Sequence, residues 1–77
     1  MHREKLSLMN DILLKQHFIS FYLFNAEYII SINNNVFSIR QINSNLKHEY
    51  SSIVELFSNY RIYGQNLLQL FNNIHFK

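Results

Sequence analysis

The side chains best suited to chemistry are four histidines (His2, His17, His48 and His75) and five acids (Glu4, Asp11, Glu27, Glu49 and Glu55). A zinc or iron site announces itself as histidines one helical turn apart, or as a histidine beside a second ligand type. No two histidines here are three or four residues apart, and cysteine is absent. The lack of cysteine also excludes a disulfide framework and thiolate chemistry. Acid–base or nucleophilic catalysis needs a base, a partner group and a pocket. His48 and Glu49 adjoin, but no G-x-S-x-G or similar nucleophile turn accompanies them. The expectation is a chain that is not an enzyme and that holds neither metal nor cofactor.

Nucleic-acid binding asks for positive charge gathered on one face. Seven Lys and Arg against five Asp and Glu give a net charge of +2. The cations Arg3, Lys5, Lys15, Arg40, Lys47, Arg61 and Lys77 are scattered along the chain. Tyr22 and Phe24 with Arg40 could form a stacking platform of the kind RNA-binding sheets use. No RNP-like K/R-G-F/Y run stands near them, so nucleic acid is the lesser expectation.

These residues must be positioned by a single domain spanning 1–77, since the chain has only 77 residues. With 48% hydrophobic and 16% charged residues it should fold around a core. Proline is absent and Gly64 is the only glycine, which excludes a glycine-rich phosphate loop. The longest apolar stretch, Phe18 to Ile32, is interrupted by Asn25 and Glu27 and is shorter than the roughly 20 residues that span a bilayer. Leu6 to Leu14 follows a basic start but is broken by Asn10 and Asp11, and no small-x-small cleavage site follows. A cytoplasmic protein without a membrane segment is expected.

Leu6, Met9 and Leu13 recur at helical spacing, with Leu8 and Ile12 beside them, and predict an amphipathic helix from about Glu4 to Gln16. Three β-branched and aromatic runs follow: Phe18–Phe24, Tyr28–Ile32 and Val36–Ile42. Asn25-Ala26 and the run Asn33 to Asn35 separate them, and Asn tolerates the left-handed conformation of tight hairpin turns. A loop at Asn25-Ala26 pairs Leu23 with Tyr28, Phe21 with Ile30 and Ile19 with Ile32. A second loop at Asn33-Asn34 or Asn34-Asn35 puts Phe37 against Ile30 or Ile32. In both cases Ile19, Phe21, Leu23, Tyr28, Ile30, Ile32, Phe37 and Ile39 share one face. Asn43 to Tyr50 reads as a polar loop. Ser52 and Glu55 have capping-box spacing, and behind them Ile53, Leu56, Phe57 and Tyr60 form a helical stripe. Gly64 breaks it, and Leu67, Leu70, Phe71 and Ile74 predict a last short helix. The fold class expected is α+β: an N-terminal helix, a three-stranded antiparallel meander and two short C-terminal helices (α-β-β-β-α-α).

The face opposite the core carries Phe18, Tyr22, Phe24, Ile29, Arg40 and Ile42 and is more apolar than solvent exposure requires. The N-terminal helix is its expected cover, with a docked protein or a second copy as the alternative. Tyr22, expected opposite Ile29, together with Phe24 and Arg40 makes up the candidate partner-binding set. Glu55, Leu56, Ile62, Gly64 and Leu67, within a stretch from Phe18 to Ile74, resemble small uncharacterised proteins of low-GC bacteria and their phages. The resemblance implies a meander, a helix, an Ile-x-Gly turn and a last amphipathic helix, and an origin in a mobile element. It carries no assigned activity. The function expected is binding of another protein, as a regulator or inhibitor. A weak nucleic-acid-binding module and a self-associating structural protein, dimeric through the outer face, are the alternatives.

Overall fold

The first stripe is helical, and the computed structural model describes it within residues 3–76. Met1, His2 and Lys77 lie outside the described residues, as do the side chains of Arg3, Glu4 and Lys5. Helix α1 spans Arg3–Gln16 and turns Leu6, Met9 and Leu13 into the core. It ends at His17, which takes the left-handed conformation (φ 71°) and donates its N–H to the Leu13 carbonyl at 2.7 Å. That single residue joins the helix to the sheet.

Strands β1 (Phe18–Leu23), β2 (Ala26–Asn33) and β3 (Val36–Gln41) follow as two hairpins. The β2–β3 register matches the loop at Asn34-Asn35, with Ile30 opposite Ile39 and Ile32 opposite Phe37. The first hairpin differs from expectation by two residues. Its turn is Phe24-Asn25, so Phe21 faces Tyr28 and Ile19 faces Ile30. A shift of two leaves every side chain on its face. Ile19, Phe21, Leu23, Tyr28, Ile30, Ile32, Phe37 and Ile39 therefore all belong to the core side, as expected.

The sheet is wider than a three-stranded meander. From edge to edge its order is β4 (Lys47–Tyr50), β3, β2, β1 and β7 (His75–Phe76), all antiparallel. Strand β4 is Lys47–Tyr50, inside the stretch expected to be a loop. It pairs His48 with Ile39 and Tyr50 with Phe37, giving the edge of β3 hydrogen-bond partners that water would otherwise supply. Strand β7, His75–Phe76, closes on the other edge and pairs with Phe21 and Tyr22 of β1.

Helix α2 (Ile53–Asn59) starts as the sequence predicts, with the Ser52 hydroxyl accepting from the Glu55 N–H at 3.0 Å. The Glu55 carboxylate takes the Ser51 hydroxyl at 2.6 Å rather than reaching the backbone of Ser52. The second C-terminal helix does not form. A two-residue hairpin, β5 (Arg61–Ile62) and β6 (Gln65–Asn66), turns at Tyr63-Gly64 and is followed by turns and one 3₁₀ turn, Phe71–Asn73. Asn66 and Gln69 account for the departure. Each backbone N–H donates to the other's side-chain oxygen, both at 2.9 Å, and closes a tight turn in place of a helical start. Leu67, Leu70, Phe71 and Ile74 are still buried, so their spacing reports burial without helix.

Both helices lie on one side. Helix α1 crosses β1 and β2, α2 covers β3 and β4, and the two touch. Leu6, Met9 and Leu13 join Phe21, Ile30, Ile39, Leu56 and Phe57 in one core. The expected cover of the outer face by the N-terminal helix is thus overturned. A seven-residue α2 shields only half of the inner face. The other half carries Phe21 and Ile30, and burying it returns more than covering the outer face would.

Candidate functional site

Among the described residues, no helix or strand lies over the outer face, and the register sets out its side chains in three rows. One runs Lys47, Arg40, Ile29, Ser20 from β4 to β1, and the next runs Glu49, Ser38, Ser31, Phe18. The third runs Ile42, Glu27, Tyr22, His75. The middle of this face is firm and small: the Ser31 and Ser38 hydroxyls bond at 2.9 Å, and Ile29 is half-buried between Ser20 and Arg40. The rings stand at its β1 border, where Phe18 is 51% and Tyr22 43% exposed.

Tyr22 does not face Ile29, as the two-residue shift requires; its partner on β2 is Glu27. Ile29 lies between Ser20 and Arg40 instead. The Arg40 guanidinium folds onto the loop after β3, donating to the carbonyls of Ile42 at 3.1 Å and Ser44 at 3.3 Å. Arg40 therefore shapes that loop, two strands away from Tyr22. Phe24 has left the face altogether and occupies the β1–β2 turn.

There it meets a residue that sequence reasoning passed over. Phe24 and Tyr63 sit in the first positions of two-residue hairpin turns, at φ 51° and 54°. Their rings lie 5.7 Å apart and are 46% and 85% exposed. A left-handed conformation costs a bulky L-residue on the order of 1 kcal/mol. The second hairpin avoids it, with Asn34 and Asn35 at φ 53° and 65°. Beside the aromatic pair is an open notch of about 520 Å³ lined by Tyr22, Phe24, Asn25, Asn72, Asn73 and His75. Of the expected set, the structure thus brings Tyr22 and Phe24 together and leaves Ile29 and Arg40 farther along the sheet. Tyr63 was legible only as the residue before Gly64 in a turn, and His75 only once β7 paired with Tyr22.

The opposite end of the molecule has a second apolar feature. Leu6, Leu14, Ile32, Phe37, Val54 and Leu68 help line a groove of about 1120 Å³ between the two helices. Its polar lining is Ser7, Asn10, Asn35, Ser51 and Ser52, with no ionisable group among the described residues.

The adjacent His48 and Glu49 point to opposite faces of β4, so they form no acid–base pair. His48 packs edge-on against Tyr60 at 5.2 Å, and Tyr60 against Tyr28 at 6.4 Å. Burial raises the phenol pKa of Tyr28, Tyr50 and Tyr60, helped by Tyr63 near Tyr28, by Glu55 near Tyr50, and by Tyr28 and Tyr50 near Tyr60. They stay neutral near pH 7, Tyr28 within the core and Tyr50 and Tyr60 partly buried against it. Among the described residues no group of three His, Asp or Glu could hold a metal ion, and no helix is long and apolar enough to cross a membrane. Comparison with family models, curated proteins and solved structures returns no match for this chain.

Proposed function

We propose that this chain is a small non-enzymatic module that binds another protein through the aromatic end of its sheet. It acts in the cytoplasm as a regulator or inhibitor, and the resemblance of its Phe18–Ile74 stretch to small phage and bacterial proteins supports a mobile-element origin. One observation carries the reading: Phe24 and Tyr63 are exposed rings held where Asn or Gly would sit without strain. Strain kept on the surface is a mark of selection for something other than stability. Tyr and Phe also give a protein interface large contact area at low entropic cost.

The test is the double variant Phe24→Asn, Tyr63→Asn. Its melting temperature should hold or rise, because Asn relieves the strain at both turns. Capture of a protein from nuclease-treated extract of the source cell should be lost, whereas a separate chain that keeps Phe24 and carries benzoylphenylalanine at position 63 should crosslink to that protein. A variant that melts lower while capture is unchanged would show that the rings serve the fold. Crosslinks that arise instead from position 54 would move the docking site to the groove between the helices.

A further inference from the structure

The free edge of β4 has a feature independent of the aromatic end. Ile42 donates its N–H to the Glu27 carbonyl at 2.9 Å, and Ile32 donates to His17 at 3.0 Å. These two bonds fix the alternation of the ladder. Val36, Ser38 and Arg40 turn their backbone groups to β2, so Phe37 and Ile39 turn theirs to Tyr50 and His48 of β4. Lys47 and Glu49 must then direct their N–H and C=O groups away from the sheet, where among the described residues no strand pairs with them.

An exposed edge is usually blunted by proline, a bulge, charged side chains or a very short strand. Here the chain has no proline, β4 pairs with β3 in an unbroken register, and the two charges on its short outer edge are opposite, so that each can meet its complement on a second copy. We infer that β4 pairs antiparallel with β4 of a second copy, about a two-fold axis at His48. Only registers that match outward groups to outward groups can form bonds. Among these, the register centred on His48 alone uses both residues. Lys47 then lies opposite Glu49 of the second copy, and Glu49 opposite Lys47 of the second copy, each pair exchanging both N–H···O=C bonds. The same two residues thus supply the unpaired backbone groups and the complementary charge. Leu46, just before the strand and 72% exposed, comes to the register position opposite Tyr50 of the second copy. The product is one continuous ten-stranded sheet with both outer faces on the same side.

A four-residue strand buries less than the roughly 1,200 Å² of a standard interface, so the dimer is a weak one, with a Kd of about 10 μM to 1 mM. Sedimentation equilibrium from 20 μM to 2 mM reads it. Lys47→Glu and Glu49→Lys each place like charges opposite one another twice, and each should weaken self-association about tenfold. An equal mixture of the two variants regains opposite charges in both pairs and should recover the affinity of the parent. Within one chain, Lys47 and Glu49 are also 3.9 Å apart. That contact is broken in both variants and stays broken in the mixture, so recovery reports contact between copies. A parent chain that is monomeric at 2 mM overturns the inference, as does a mixture no tighter than either variant alone.

Discussion

The two faces of one sheet are made from alternate residues of the same strands, yet they meet different demands. Phe21, Tyr28, Ile30 and Ile39 lie under two helices, and Phe21 and Tyr28 stack at 5.4 Å. One residue along from each lie Tyr22, Glu27, Ile29 and Arg40, on the face over which none of the described helices lies. The same backbone positions both sets, so the difference is energetic. The inner face sets whether the chain folds, and the outer face is left for what the folded chain meets. An antiparallel sheet permits this because it can be solvated on one side.

Neighbouring substitutions should break the comparison most sharply. Phe21→Ala removes a fully buried ring and should cost about 3–5 kcal/mol, enough to unfold most of a chain this small. A cooperative urea transition with an unchanged midpoint would show that the inner face is misassigned. Leu13→Ala tests whether α1 belongs to that face. Leu13 is fully buried in the shared core, and its loss should cost about 2–4 kcal/mol. If α1 merely lay on the surface the cost would be near zero.

Alkaline titration gives a smaller effect of known sign. Burial lifts the phenol pKa of Tyr28, Tyr50 and Tyr60 above its usual value, so the folded chain keeps protons that the unfolded chain releases. Their contribution is complete below the ordinary phenol pKa of about 10 and fades as pH rises through the higher folded values. Urea midpoints measured from pH 8 to 12 should fall at the alkaline end, and less steeply in Tyr60→Phe. The smallest effect belongs to the outer face: Phe18→Ser with Tyr22→Ser should shift stability by only about 0.5 kcal/mol. A loss of several kcal/mol there would mean that a layer covers the face after all.

Much of this division was legible in the sequence, because period-two alternation in 18–42 assigns faces whatever the turn. The turn itself was not, since slipping the first hairpin by two residues keeps every face and changes only partners. That slip hid the partnership of Tyr22 with Glu27 and the strained place of Phe24. Strand β4 was hidden for a different reason. Lys47, His48, Glu49 and Tyr50 show no apolar alternation, and it is the edge of β3 that makes them a strand. At Leu67, Leu70, Phe71 and Ile74 the spacing was real and the inference from it failed, because turns closed by Asn66 and Gln69 can bury the same side chains. Helix α1 went to the unexpected face because seven residues of α2 cannot shield the whole core.

The pairing of β7 with β1 joins the last described residues to the first strand, and this sets an order of events during synthesis. Hairpins form in about 1–10 μs, whereas ribosomes add about 5–20 residues per second. The two hairpins are therefore made long before Leu67, Leu70, Phe71 and Ile74 exist to cover them. For seconds the nascent chain carries an incomplete sheet whose apolar face has α1 alone to cover it, with the edge of β1 open. Completion of the fold is then a late, single event that waits on the C-terminal stretch. Until that stretch emerges, the same surface that will become the core is available to chaperones and to neighbouring nascent chains.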